Sequence, residues 1–312
     1  MKRGSPYEPG GLVIVDKPAG YTSHDVVAKL RGIARTKRVG HAGTLDPMAT
    51  GVLVLGIERA TKLLGFLALT EKEYVGTVRL GQTTVTDDAE GEITASRDAS
   101  GVAREGIDAG VAALTGELMQ VPSKVSAIKI DGKRSYKRAR DGDDFEIPAR
   151  PVTVSSFAVH GVHEERAEDG TPVVDVLVSV VCSSGTYIRA LARDLGAGLG
   201  VGGHLTALRR TRVGPYGLDT ARTLEQLQAE RDEGDGLSPL PLADAASAAF
   251  SRWDVDARQA GQLANGVQIA MPALAEGGAP VAAFGPDGRF VALVEPRGGR
   301  AKSLAVFVPP KD

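Results

Sequence analysis

Short apolar runs and amphipathic stretches alternate over the first third of the chain. The runs "GLVIV" at 11–15 and "GVLVLGI" at 51–57 have the length of buried strands. Between them, apolar residues recur at helical spacing: Val26, Val27, Leu30 and Ile33. Thr22 and Asp25 precede these residues with the spacing of a capping box. The pattern predicts a strand, a helix that begins near Thr22, a loop over 39–50 and a second strand.

The middle of the chain alternates apolar and polar residues with a period of two. This period predicts strands in "KEYVGTVRLG", "PVTVSSFAV", "VVDVLVSVVC" and "HLTALRRTRVG". Residues 104–115 have a helical pattern, and a further helix is predicted to begin at Ser183–Thr186. Because strands and helices do not alternate regularly, we expect an α+β fold with a mixed, largely antiparallel β-sheet flanked by helices.

Three further segments have simpler patterns. "ERATKLLGFLAL" predicts a helix, and "QTTVTDDAEGEI" predicts a polar loop that turns at Gly91. Residues 121–150 contain "DG" twice and predict a long hairpin-like excursion.

A change of composition near the C-terminal end predicts two domains. Residues 228–245 are acidic and rich in Gly and Pro, which is typical of a linker. Beyond them, short apolar runs are separated by "GPDG" and "PRGG" turns. We therefore expect a large domain over residues 1–245 and a small all-β domain over residues 246–312.

Overall composition is that of a soluble globular protein. Hydrophobic residues make up 42% and charged residues 24% of the 312 residues. No apolar run approaches the roughly 18 residues of a membrane helix, and the N-terminal pattern is too short for a signal peptide. Cys182 is the only cysteine, so an internal disulfide is impossible and a reducing cytoplasm is expected.

Positive charge is concentrated in three windows, at 29–38, 129–140 and 205–212. Together they hold 14 basic residues and one acid, so the remaining residues carry −15 to give the net charge of −2. Solvated helix faces could account for one such window, but three favour basic surfaces on an acidic body. This distribution predicts an anionic partner.

Several common chemistries lack their motifs. "GHAGTLDP" has no Gly-Lys-Ser/Thr ending for a phosphate-binding loop, and "HEER" at 163–166 has alanine where a second zinc-binding histidine should stand. Cys182 ends an apolar strand, which favours a buried structural thiol over a nucleophile. We expect no metal and no cofactor, and a carboxylate and an arginine as the principal reactive groups.

The segment "GHAGTLDPMATGVL" resembles the catalytic motif of the TruB family of tRNA pseudouridine synthases. Other family motifs occur in the same order: "GLVIVDKPAGYTSHDVV", "EKEYVGTVRLGQTTVTDDAEG", "QVPSKVSAIKIDGKRSYKRAR", "CSSGTYIRALARDLG" and "HLTALRRTRVG". The resemblance covers residues 11 to about 225 and implies the pseudouridine synthase fold. The C-terminal segment resembles a small PUA-like RNA-binding domain.

The resemblance implies a reaction at uridine 55 in the T loop of tRNA. The N1–C1′ bond breaks, the uracil rotates, and C5 joins C1′ after the base has left the RNA stack. Asp46 corresponds to the catalytic aspartate, where a lone "LDP" would otherwise form an Asx turn. Whether Asp46 attacks C1′, attacks C6 or promotes a glycal route stays open.

Other family residues are implied at matching positions. Arg189 corresponds to the arginine that pairs with the catalytic aspartate, and Tyr74 to the tyrosine that stacks on the target uracil. His41 corresponds to a histidine that contacts the flipped region of the T loop. Weaker correspondences for substrate binding are Tyr187, Leu208 and Lys17. An RNA-clamping insertion at about 124–150 contributes basic residues to the same surface: Lys129, Lys133, Arg134 and Arg138.

Two alternatives to a stand-alone enzyme remain. The basic segments would equally serve a tRNA-folding chaperone, and related proteins act in guide-RNA-dependent particles. The insertion at 124–150 favours direct recognition of the T arm of tRNA without a guide, by a monomer.

Overall fold

The computed structural model describes residues 7–124, 147–234, 236–272 and 278–308, and the backbone of two short strands between 129 and 134. The strands are, in chain order, β1 (Gly10–Lys17), β2 (Val39–Ala42), β3 (Thr50–Glu58), β4 (Lys72–Leu80), β5 (Gln82–Thr84), β6 (Ile93–Ser96), β7 (Gly116–Gln120), β8 (Lys129–Ile130), β9 (Lys133–Arg134), β10 (Arg150–Arg166), β11 (Pro172–Cys182), β12 (Gly203–Val213), β13 (Tyr216–Gly217), β14 (Leu240–Pro241), β15 (Ser251–Asp254), β16 (Ile269–Ala270), β17 (Val281–Phe284), β18 (Phe290–Arg297) and β19 (Arg300–Val306).

Seven α-helices are assigned within the described residues. They are α1 (Ser23–Ala34), α2 (Leu64–Leu67), α3 (Arg104–Ala113), α4 (Ile188–Gly198), α5 (Leu224–Asp232), α6 (Leu242–Ala249) and α7 (Ala257–Ala264). In this part of the chain, no helix is long and apolar enough to cross a membrane.

The chain divides into two compact units, each built from separate stretches of the sequence. The first unit contains Met1–Asp46, Val52–Ala68 and Gly214–Asp312, and the second contains Pro47–Gly51 and Leu69–Val213. The chain therefore leaves the first unit at Asp46 and enters the second at Pro47. The predicted boundary near residue 245 stays a prediction.

In the first unit, β1 lies between β14 and β3, which confirms the two apolar strands. The prediction of a loop throughout 39–50 was wrong at its start, since β2 pairs antiparallel with β3. Val39 and Ala42 are buried at the ends of β2. A strand this short, with Gly40 and His41 between its apolar ends, has no readable period, and its partner strand defines it.

Helix α1 begins as its capping box predicts. Thr22 accepts a hydrogen bond from the backbone of Asp25, whose carboxylate accepts one from the backbone of Thr22. The predicted helix over "ERATKLLGFLAL" is shorter in the structure. A 3-10 turn at Arg59–Lys62 comes first, because Leu63 N donates to Ala60 O, and only α2 follows.

The predicted linker over 228–245 was wrong at both ends, because α5 extends to Asp232 and α6 begins at Leu242. Helix α5 starts at a capping box between Thr223 and Gln226 and buries Leu224 and Leu227. Beyond α6, strands form a five-stranded sheet in the order β15-β17-β18-β19-β16, which confirms the predicted C-terminal sheet. Helix α7 packs on that sheet and was not predicted.

The second unit is a mainly antiparallel sheet in the order β12-β4-β11-β10-β7. Thr50 and Gly51 pair parallel with Arg209 and Arg210, so the predicted mixed sheet is confirmed. Gly51 has φ +97°, and a Cβ there would lie 2.2 Å from the carbonyl oxygen of Arg210. Only glycine permits this approach directly after the Asp46 loop.

Two boundaries in the second unit differ from prediction. The predicted polar loop after β4 contains the hairpin of β5 and β6, paired across its turn. Helix α4 begins at Ile188, after the predicted start at Ser183–Thr186, and it ends in glycine as predicted. Within the predicted excursion at 121–150, β8 and β9 pair antiparallel.

Candidate active site

The backbone before Asp46 is fixed by one buried hydroxyl. Ser23, the first residue of α1, accepts a hydrogen bond from Leu45 N at 2.9 Å and donates one to Leu45 O at 3.2 Å. Ser23 is 1% exposed and Leu45 is buried. A hydroxyl can donate and accept at once, so it holds both polar groups of the residue that precedes Asp46.

His41 faces the same end of α1. Its ring centroid lies 5.5 Å from that of His24 in an edge-to-face arrangement, and His24 follows Ser23 directly. The start of α1 thus holds the segment before Asp46 and packs against the His41 ring. Within the first unit, His41 and the segment that leads to Asp46 therefore both lie at the start of α1.

Lys17 is fully buried at the end of β1. Its Nζ donates to the carbonyl oxygens of Pro18 at 2.9 Å and Tyr21 at 2.6 Å. These bonds stabilise the turn that leads into α1. The geometry suits a residue that supports the site, while any direct contact of Lys17 with RNA stays a prediction.

Tyr74 and Leu208 lie on one face of the sheet in the second unit. Tyr74 is paired with Arg210, and Leu208 is paired with Gly76, two residues further along the antiparallel ladder. Residues opposite each other and two apart share a face, and all three large side chains are buried. Helix α4, which begins directly after Tyr187, packs against the same two strands.

Arg189 forms a buried ion pair that the sequence reading missed. Its NH1 lies 3.1 Å from Oδ2 of Asp88 and donates to the carbonyl oxygen of Thr86 at 2.8 Å. Both charged side chains are about as buried as the sheet core, at 5% and 2% exposed. The predicted pairing of Arg189 with Asp46 is not tested by these contacts and stays a prediction.

A second arginine, one turn later, holds the same loop. Arg193 NH1 lies 3.3 Å from Oδ2 of Asp87, and its NH2 donates to the carbonyl oxygen of Val121. Burial raises the pKa of the Asp87 carboxyl, and the nearby charge of Arg193 opposes this shift. Arginines four apart on α4 and adjacent acids in "TDDAEG" were the available signal for this pairing.

A second cation lies beside Tyr74. Lys72 is 6% exposed and donates to the carbonyl oxygen of Thr70 at 2.8 Å. Burial, and then the charge of Arg210, lowers the pKa of Lys72 to about 8. Cys182, paired with Lys72 in the ladder, is a buried free thiol whose pKa burial raises to about 11. The prediction that Cys182 is a buried thiol is therefore confirmed.

The depressed pKa of Lys72 predicts stability that rises with pH. Between the folded and unfolded pKa values the unfolded chain binds the extra proton, so alkaline pH favours the folded state. Relative to Lys72→Met, the native protein should gain about 1 kcal/mol of unfolding free energy from about pH 7 to about pH 9. Urea unfolding of both proteins at each pH measures this difference. If the difference in unfolding free energy between the two proteins stays constant or shrinks as the pH rises, the lowered pKa of Lys72 is contradicted.

The three basic windows differ in the structure. In the window at 29–38, all five basic residues are exposed: Lys29, Arg31, Arg35, Lys37 and Arg38. The window at 205–212 was wrongly predicted as a basic surface, because Arg210 is buried and Arg212 forms ion pairs with Glu71 and Glu73. The side chains of the third window lie outside the described residues. They include the predicted RNA contacts Lys129, Lys133, Arg134 and Arg138.

Three family descriptions match consecutive parts of the sequence. Residues 31–188 match "TruB family pseudouridylate synthase (N terminal domain)". Residues 189–240 match "tRNA pseudouridylate synthase B C-terminal domain", and residues 250–308 match "tRNA Pseudouridine synthase II, C terminal". Together the matches span both units and the C-terminal sheet.

Whole-chain similarity agrees with these matches. The tRNA pseudouridine synthase B of Streptomyces griseus is 75% identical over 299 residues, which cover 96% of this chain and 97% of the relative. The tRNA pseudouridine synthase B of Mycobacteroides abscessus is 55% identical, and the match covers 97% of this chain and 98% of the relative. A chain from the crystal structure of a Cbf5-Nop10-Gar1 complex superposes with a TM-score of 0.73 at 28% identity, covering 96% of this chain and 85% of that chain. A chain from an archaeal box H/ACA sRNP Nop10-Cbf5 complex superposes with a TM-score of 0.72 at 26% identity, and the match covers 99% of this chain and 90% of that chain.

Proposed function

The chain belongs to the TruB family of pseudouridylate synthases, and on this basis we propose that it isomerises uridine 55 in the T loop of tRNA to pseudouridine. Membership of this family makes the protein an isomerase. The observation that carries the tRNA substrate is the 75% identity, over nearly the whole length of both chains, to a protein named tRNA pseudouridine synthase B.

The proposed chemistry needs a carboxylate at the sugar and a platform for the base. The N1–C1′ bond breaks and a C5–C1′ bond forms, the hydrogen at C5 leaves as a proton, and N1 gains a proton. Asp46 acts on the uridine as the carboxylate, either by attack at C1′, by attack at C6 or along a glycal route. Tyr74 stacks on the extruded uracil, an interaction that contributes about 1–3 kcal/mol in other RNA-binding proteins.

Arg189 orients the Asp46 carboxylate in this proposal through charge-assisted hydrogen bonds. Its ion pair with Asp88 and its bond to Thr86 O support this role, because they hold the guanidinium in one position inside the protein. A preorganised charge costs no rearrangement when the transition state forms. Asp88 is therefore proposed as a residue that positions Arg189.

The products on a defined transcript test the proposed function. Unmodified tRNA is incubated with the protein alone, without guide RNA, and pseudouridine is located by carbodiimide-dependent stops in reverse transcription. We expect one stop, at position 55, and no product on a transcript with cytidine at that position. Pseudouridine elsewhere would overturn the proposed target, and its absence would overturn the stand-alone enzyme.

The same experiment, which contains no guide RNA and no other protein, also tests whether this protein acts without the partners present in the complexes of its structural relatives. Its relatives among solved structures occur in a Cbf5-Nop10-Gar1 complex and in an H/ACA particle bound to a substrate RNA. We propose that this protein acts as a monomer in the cytoplasm and recognises the T arm directly. Phosphate contacts from the insertion at 124–150 would make tRNA binding weaken steeply with salt.

Removal of the hydroxyl that holds Leu45 tests the link between α1 and Asp46. Ser23→Ala is expected to slow single-turnover isomerisation about tenfold, which corresponds to about 1.4 kcal/mol in the barrier. The physical reason is that both polar groups of Leu45 lose their partner, so Asp46 is held less firmly. Rapid-quench kinetics measure the rate, and Ser247→Ala, outside the site segments, is the control. An unchanged rate would contradict the link.

A further inference from the structure

The carboxamide of Gln120 forms two hydrogen bonds with the backbone of Tyr187. Its Oε1 accepts from Tyr187 N at 2.8 Å, and its Nε2 donates to Tyr187 O at 3.0 Å. Gln120 is the last residue of β7 and is 4% exposed. The two backbone groups define which end of the amide is oxygen, so the side chain can bind in only one orientation.

This contact lies at the start of helix α4. Tyr187 is the N-cap residue, and its side chain makes no capping hydrogen bond. Gln120 therefore fixes the helix entry from a neighbouring strand. Six residues after Tyr187, Arg193 donates to the carbonyl oxygen of Val121, so two consecutive residues, Gln120 and Val121, hold α4 at two points.

Two residues of the proposed site lie at the start of α4. Tyr187 itself is bound, and Arg189 follows two residues later with its guanidinium on Asp88. The two hydrogen bonds of Gln120 stabilise the fold only modestly, since each contributes about 1 kcal/mol. Position has a larger effect on rate, because a displacement of about 1 Å in a reacting group can cost about 100-fold.

We propose that Gln120 is a positioning residue for the isomerisation, acting through the backbone of Tyr187 on the placement of Arg189. The inference rests on the proposed function and adds to it a residue of β7 that touches neither the base nor the sugar. Its effect should fall on the chemical step, with little change in the binding of tRNA.

Gln120→Met tests the inference, because it keeps the length of the side chain and removes both hydrogen bonds. We expect single-turnover isomerisation to slow about 30-fold, within the range that misplacement produces, while the Kd for tRNA changes less than about twofold. The matched control is Met119→Gln, at the exposed neighbour on the same strand. Unfolding midpoints are measured for every variant.

Gln120→Glu supplies a readout that a packing role would not change. A carboxylate can accept from Tyr187 N but cannot donate to Tyr187 O, and two acceptors that face each other repel, so the variant should be slower than the native protein at about pH 8.5. Burial at this position favours the protonated carboxyl, which regains a donor as the pH falls, so the rate of the variant relative to the native protein should rise severalfold towards acidic pH. Arg189, Arg193, Asp87 and Asp194 are present in both proteins, so their contribution cancels in this ratio.

The outcomes separate this inference from the proposed function. If neither the native protein nor Met119→Gln forms pseudouridine, the proposed function and the inference are overturned together. An active native protein with a Gln120→Met variant of equal rate would overturn the inference alone. So would a rate and an affinity that fall equally, or a Gln120→Glu ratio that does not change with pH.

Discussion

The Asp46→Asn substitution is expected to slow isomerisation on the order of 10⁴-fold, the scale on which loss of a group that acts on substrate lowers kcat in other enzymes. The amide is nearly the same size, so the segment held by Ser23 should keep its fold. It can neither attack the uridine nor stabilise positive charge at C1′. Affinity for tRNA should stay within about threefold, because phosphate contacts supply most of it. Single-turnover kinetics and filter binding measure the two effects.

Asp219→Asn is the matched control for this prediction, since Asp219 is an exposed aspartate in the same unit. It should keep the native rate and affinity. An Asp46→Asn variant within tenfold of the native rate would contradict a direct role for the carboxylate. A large loss of affinity without a loss of rate would make Asp46 a binding residue.

The second large effect is expected for Arg189→Met. Loss of one partner leaves Asp88 charged and buried, which typically costs about 3–5 kcal/mol of unfolding free energy. The rate should also fall about 1000-fold, because the proposed orientation of Asp46 loses a charge-assisted hydrogen bond that acts in the transition state. Urea unfolding and single-turnover kinetics are measured on the same preparations.

The double variant Arg189→Met/Asp88→Asn separates the two effects. It removes the unpaired charge while an amide can still accept from Glu90 N, so much of the lost stability should return. The rate should not return, because the guanidinium is still absent. Recovery of both would mean that Arg189 acts only in folding. Arg79→Met, which breaks the more exposed pair with Asp175, is the control and should leave the rate unchanged.

The sequence predicted best those elements whose side chains alternate. Strands β4, β11 and β12 each place one face in the core, so their period of two was readable. Strand β2 and the start of α4 had no such period. Strand β2 is defined by its pairing with β3. The start of α4 is held by the side chain of Gln120, which lies 67 positions before Tyr187 in the sequence.

Site prediction had a different limit. Asp46, Tyr74 and Arg189 were recognisable because each lies inside a motif. Asp88 was not, because a buried acid in a polar loop is identified only by the arginine that folding brings to it. The charge window at 205–212 failed for a related reason, since composition does not reveal that Arg210 lies in the core or that Arg212 meets two glutamates.

Release of hydrogen from C5 tests the central claim most directly, because C5 cannot join C1′ without expelling it. A tRNA transcript tritiated at C5 of its uridines is incubated with the native protein or with Asp46→Asn, without guide RNA. The native protein should release about one tritium per tRNA into water, and the variant should release none in the same time, given the expected loss in rate. Equal release by both proteins would contradict the role of Asp46. No release by a native protein that binds the tRNA tightly would contradict the isomerase itself.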